Sequence, residues 1–117
     1  MSYIQLQLSE EGLVSFLACL GIGTLQAIRD GTLPADVGIW SLSAPQFCEE
    51  LSANPSIPQE IVEVFQMSDE LSALKELAPD KFSGEVEKLI HKLYTVLATI
   101  EEPAWRLQWP RQFNTSK

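Results

Sequence analysis

FSGEVEKLIHKLYTVLATI, residues 82–100, decides the fold class. Phe82, Val86, Leu89, Leu93, Val96, Leu97 and Ile100 recur in steps of three and four, the spacing of one buried helix face. Glu85, Glu87, Lys88, His91, Lys92 and Thr95 fall toward the opposite face. Pro79 precedes the helix, and Glu102-Pro103 ends it, because proline can neither donate to the ladder nor leave its predecessor comfortably helical.

Working back toward the N-terminus, residues 13–28 are apolar on nearly every side, which predicts a central helix covered by neighbours. Ser9 offers its cap, Glu10 and Glu11 suit the positive end of its dipole, and Asp30-Gly31 stops it. Gly21-Ile22-Gly23 inside this run looks briefly like a dinucleotide fingerprint. The third glycine of that motif would fall at Gln26, and no second buried parallel strand follows, so the glycines are read as room for a packed helix.

The middle of the chain repeats a helix start. Thr32-Leu33-Pro34-Ala35, Ser43-Ala44-Pro45-Gln46 and Ser56-Ile57-Pro58-Gln59 each place a hydroxyl ahead of a proline in the first turn, and the last two also read as capping boxes. Short helices are predicted near 33, 44 and 57. Ile57, Ile61, Val64 and Phe65 then form a stripe that Leu71, Leu74 and Leu77 continue in steps of three, with a break near Ser68-Asp69.

At the two ends the periodicity changes. Ile4, Leu6 and Leu8 alternate with Tyr3, Gln5 and Gln7, and Trp105, Leu107 and Trp109 alternate with Arg106 and Gln108, which predicts two short strands that pair. The expected fold is therefore mainly α (α+β): a multi-helix domain with a central apolar first helix, a long C-terminal helix, and short N- and C-terminal strands. Residues 1–110 form one globular domain in this reading, and residues 111–117 a frayed tail.

Charge divides the chain. Sixteen acids against eight bases give −8 overall. Residues 1–102 hold all sixteen acids and five of the bases, a balance of −11, while residues 103–117 hold three bases and no acid, a balance of +3. A body of that sign repels phosphate backbones, which argues against a nucleic-acid partner. The apolar run 13–25 lacks a basic segment ahead of it and is too short and interrupted to span a bilayer, so no membrane association is expected and the location read is cytoplasmic. Cys19 and Cys48 are expected as buried, reduced thiols.

Candidate chemistry is sparse. His91 is the sole histidine and is read as a solvated partner of Glu87 one turn away. The adjacent carboxylates Glu10-Glu11, Glu49-Glu50, Asp69-Glu70 and Glu101-Glu102 point about 100° apart on a helix and build no shared site. No catalytic residue, metal or cofactor is implied. The segment that concentrates interface-forming residue types is Trp105, Arg106, Trp109, Arg111 and Phe113, set against an acidic body. These five are the candidate protein-contact residues. The alternative assignment is their packing on the protein's own core.

Residues 16–28, Asp30-Gly31, Pro34 to Trp40, the Asp-Glu-Leu-Ser-Ala-Leu of 69–74 and the Trp-x-Leu-x-Trp of 105–109 together resemble a small bacterial domain-of-unknown-function family of similar length. That resemblance carries over no functional residue. The leading functional expectation is a non-catalytic protein-interaction module of regulatory or immunity type, meeting a protein partner or a second copy of itself. The alternative is a small-ligand binder or enzyme with a pocket between the helices, around Trp40, Cys48 and His91.

Overall fold

In a computed structural model the fold is described for residues 8–100, side chains of Glu11 and of residues 39–42 excepted. Six α-helices follow one another: α1 (Glu10–Arg29), α2 (Ala35–Ser43), α3 (Pro45–Ala53), α4 (Gln59–Met67), α5 (Leu71–Leu77) and α6 (Pro79–Ala98). A single 3-10 turn, Ser68–Glu70, joins α4 to α5.

The expected mixed architecture is corrected: among the described residues every regular element is helical and no strand is present. Leu8, the last residue of the predicted first strand, is not in a strand. The rest of that segment and residues 105–109 lie outside the described residues. Alternation over a few residues fits any short extended stretch, whereas a sheet also needs a partner strand and a face to bury. Here the helices supply the core themselves.

Both ends of α1 are made by local chemistry. Gly12 N–H donates to Ser9 Oγ at 3.0 Å, so Ser9 is the cap its side chain promised. At the other end Gly31 takes φ 79°. Thr32 N–H donates to Ala27 O and Gly31 N–H to Ile28 O, the paired bonds of a Schellman ending that only a residue tolerant of left-handed backbone closes cheaply. The later helices begin within two residues of the predicted starts but are not capped by the serines. Their N-cap positions fall on Pro34, Ala44 and Pro58, none with a side-chain cap bond. Ser43 instead donates its hydroxyl across the fold to Phe65 O, tying α2 to α4.

The closest pairing in the bundle is α1 against α6, with α4 packed on both and α5 on α6. The core gathers Leu17, Leu25 and Ile28 of α1, Ile61, Val64 and Phe65 of α4, and Val86, Leu89 and Leu93 of α6, each at most 2% exposed. Gly21 explains how the helices approach: a Cβ there would lie 2.6 Å from Leu93 Cδ1 and 3.2 Å from Phe65 Cε1. Gly23 differs, since nothing lies within 4 Å of its would-be Cβ.

The expectation that α1 is covered all round holds for only part of it. Cys19, Leu20 and Gly23 are exposed and Phe16 and Ala27 half-buried, a stripe one helix face wide. By length and composition alone its Gly12–Arg29 window, mean hydropathy 1.5, could cross a membrane, yet half of it is buried inside the bundle. Ser15 sits among the buried residues, 0% exposed, and its Oγ has no hydrogen-bond partner among the described residues. An unpaired buried hydroxyl costs about 1–3 kcal/mol. Ser15→Ala is therefore expected to leave stability unchanged or raise it by about 1 kcal/mol in urea unfolding. A loss of that size would show that the hydroxyl is bonded in solution.

Candidate functional site

Leu71, Leu74 and Leu77 build the site by failing to stay on one face. The 3-10 turn has three residues per turn, so Leu71 stacks directly below Ser68, and both are buried at 1% and 0% exposure. From Leu71 onward the chain winds as an α-helix, where each step of three falls about 60° short of a full turn. The leucine ladder slides off the core accordingly: Leu74 is half-buried and Leu77 is 84% exposed.

The result is an open groove of about 620 Å³ between α5 and α6, floored by Leu89 and walled by Met67, Ala73, Leu74 and Leu77. Asp69, Glu70 and Glu85 stand along it with Lys81, so its rim is net acidic. Lys75 Nζ lies 5.4 Å from the centre of the Phe82 ring and helps hold α5 on α6, while Lys88 reaches Glu85 at 3.5 Å. The volume falls in the range of small-molecule sites, roughly 300–1,000 Å³. The lining differs from such sites: its polar groups stand on an exposed rim and do not converge in an enclosed cavity.

Two of the alternative pocket's residues, Cys48 and His91, do not come together as a site. Cys48 is buried in α3, which packs on α2 and α4, whereas His91 projects into solvent from α6. Trp40 belongs to α2, and its side chain lies outside the described residues. The expected Glu87–His91 pair is replaced by a longer-range one: the Arg29 guanidinium donates to the Glu87 carboxylate, joining the end of α1 to α6. That bond, with help from Asp30, holds the Arg29 guanidinium firmly protonated. Gln26 Nε2 adds a second link between the same helices, donating to Tyr94 OH at 3.2 Å. Among the described residues no three His, Cys, Asp or Glu side chains gather as a metal-binding set.

The two thiols separate. Cys19, expected inside, is exposed on α1, and Cys48 is buried as expected. Burial, and then the nearby Asp69 carboxylate, push the Cys48 thiol above its ordinary value. The folded state thus disfavours the Cys48 thiolate, so stability should fall as pH rises past the ordinary thiol range near about 8.5. At pH 8, iodoacetamide is expected to modify Cys19 readily and Cys48 only after denaturant is added, as read by peptide mass spectrometry. Equal rates for the two would contradict the burial of Cys48.

Trp105, Arg106, Trp109, Arg111 and Phe113, the contact residues expected from the sequence, lie outside the described residues. The groove itself was missed, although the three-residue spacing of Leu71, Leu74 and Leu77 was a readable sign that an α-helix would carry the last leucine outward. Compared with known proteins, the chain matches the family model "Protein of unknown function (DUF3969)" over residues 9–111. No curated protein and no solved structure matches it. The chain belongs to the DUF3969 family.

Proposed function

We propose, from the premise of a DUF3969 protein with an acidic-rimmed apolar groove, that the chain is a non-catalytic docking module. Its cargo is a basic protein segment carrying large apolar side chains, met in the cytoplasm. The observation that carries this reading is Leu77, a large aliphatic residue 84% exposed beside Leu74 and Met67, with Asp69, Glu70 and Glu85 around it. Covering a leucine is worth about 1.5–3 kcal/mol, and a rim of carboxylates chooses cationic partners and speeds their arrival. Regulation of a partner by masking its basic surface follows naturally from that chemistry.

The test is a titration by fluorescence anisotropy. One labelled peptide alternates Arg or Lys with Trp and Leu, and a second replaces each base with Glu. The basic peptide is expected to bind more tightly, with an affinity that weakens as salt rises. Leu77→Asp should weaken binding about tenfold, equivalent to about 1.4 kcal/mol. Equal binding of both peptides, or indifference to Leu77→Asp, would sink the proposal.

A further inference from the structure

The groove's walls constrain the conformation of what can fill it. Both walls start at Ala78, the single residue between α5 and α6. Counted away from it, α5 presents Leu77, Leu74 and Glu70 to the groove, while α6 presents Lys81, Glu85 and Leu89. Each row advances in steps of three or four, so each is a ridge of side chains along a helix. From Lys81 to Leu89 is eight residues, about 12 Å along α6, which a docked helix would match with about two turns.

Backbone hydrogen bonding argues against an extended occupant. The backbones of α5 and α6 are bonded within their own helices, and no strand edge lies among the described residues. A peptide lying extended on Leu74, Leu77 and Leu89 would press its own N–H and C=O groups against apolar walls that return no bond, and unpaired polar groups are costly to cover. A helix keeps its backbone bonds inside itself. It also offers ridges of the same spacing, which interleave with those of the walls.

Charge gives the groove two unlike ends. Asp69 and Glu70 stand exposed at the end away from Ala78, and Lys81 stands exposed beside it. Glu85, midway, already has Lys88 at 3.5 Å. We infer that the groove takes an amphipathic α-helix of a partner protein, with large apolar residues at i, i+3 or i+4, and i+7, and with its lysines or arginines at the end that meets Asp69 and Glu70. The inference rests on the docking reading above and deepens it, giving the occupant a conformation and a polarity.

The experiment uses the full chain and labelled peptides built from Leu, Lys, Ala and Gln, each long enough for about four helical turns. The first sets its leucines in steps of three and four, with the lysines at one end. The second has the same composition rearranged so that leucines alternate with other residues. The third carries a proline at the centre of the first. Fluorescence anisotropy is expected to give the first peptide a Kd about tenfold or more below those of the others. Its carbon-13 shifts should move to helical values on binding. Leu77→Asp, at a position exposed enough to tolerate it, and Glu70→Lys should each weaken it about tenfold, whereas Lys81→Glu should not.

Equal affinity of the first two peptides, both weakened by Leu77→Asp, would overturn the helix and leave the docking reading standing. No binding by any peptide would overturn the docking reading and the helix with it. A tight first peptide indifferent to Leu77→Asp would place the helix elsewhere on the surface, which overturns the inference. Weakening by Lys81→Glu in place of Glu70→Lys would reverse the polarity and overturn it as well. Sedimentation showing a dimer that Leu77→Asp dissolves would overturn it in favour of a second copy.

Discussion

Phe65→Ala is expected to destabilise the domain by about 3–5 kcal/mol, the cost of removing a buried aromatic ring whose surroundings cannot collapse into the space. Neighbours on two other helices fix that space. The ring is 0% exposed, sits 5.9 Å from the centre of Phe47 on α3, and lies against α1 at the glycine where any side chain would meet it. The backbone carbonyl of Phe65 also receives the Ser43 hydroxyl, so α2 is anchored to the same residue. Domains of this kind are stable by only about 5–15 kcal/mol, so the substitution removes a large share. Urea unfolding followed by circular dichroism should show the midpoint fall with little change in slope. Phe65→Leu, which keeps much of the volume, should lose less than half as much. A loss below about 1 kcal/mol for Phe65→Ala would mean that α1, α3 and α4 do not meet around this ring.

Glycines in helices give the second large effect, and its sign depends on position. Gly38 in α2 is buried, and a Cβ placed there would lie 2.4 Å from Ile28 Cδ1, 2.8 Å from Ile28 Cγ1 and 3.2 Å from Leu33 Cδ2. Ile28 is itself 1% exposed and has no room to turn aside. Overpacking of this kind costs about 1–3 kcal/mol, against which alanine's better helix propensity returns about 1 kcal/mol. Gly38→Val adds two methyl groups to the same crowded spot and should destabilise by about 3 kcal/mol or more. Gly84 in α6 has nothing within 4 Å of its would-be Cβ. Gly84→Ala should raise stability by about 0.5–1 kcal/mol through propensity alone. Thermal melts of the variants side by side make the comparison, and substitutions that moved the midpoint in the same direction would contradict the close approach of α2 to α1.

These effects show what in the sequence was legible. The α6 stripe was plain because its apolar residues keep a spacing that only a helix turns into one face: Phe82, Val86, Leu89, Leu93 and Val96 are all buried. The prolines placed the later helix starts, since φ near −65° suits a first turn whatever happens elsewhere. What could not be read was long-range. Whether Ser43 caps its own helix or crosses to Phe65 depends on where α4 lies. Whether Glu87 meets His91 or Arg29 depends on the packing of α1 against α6. Two glycines two residues apart in α1 have opposite surroundings for the same reason. The expected strands came from alternation alone, a signal with no long-range partner behind it.

The candidate site was half legible. Its charge was visible in the sequence. The groove was not legible because Leu71, Leu74 and Leu77 continue the stripe in steps of three, whereas a pitch of 3.6 residues spreads them over about 120°.

The 3-10 turn at Ser68–Glu70 therefore acts as a phase setting for everything after it. One residue added there would rotate α5 by about 100–120°, bringing Leu77 inward to the place of Leu71 and sending Leu71 out to solvent. One residue removed would turn all three leucines away from the core, with nothing apolar to replace them. Length variation at this point is asymmetric: a chain can gain a residue and close its groove, but it cannot lose one and keep α5 packed. Related chains that carry an extra residue between Met67 and Leu71 should thus have a polar side chain in place of Leu71 and no exposed leucine on α5.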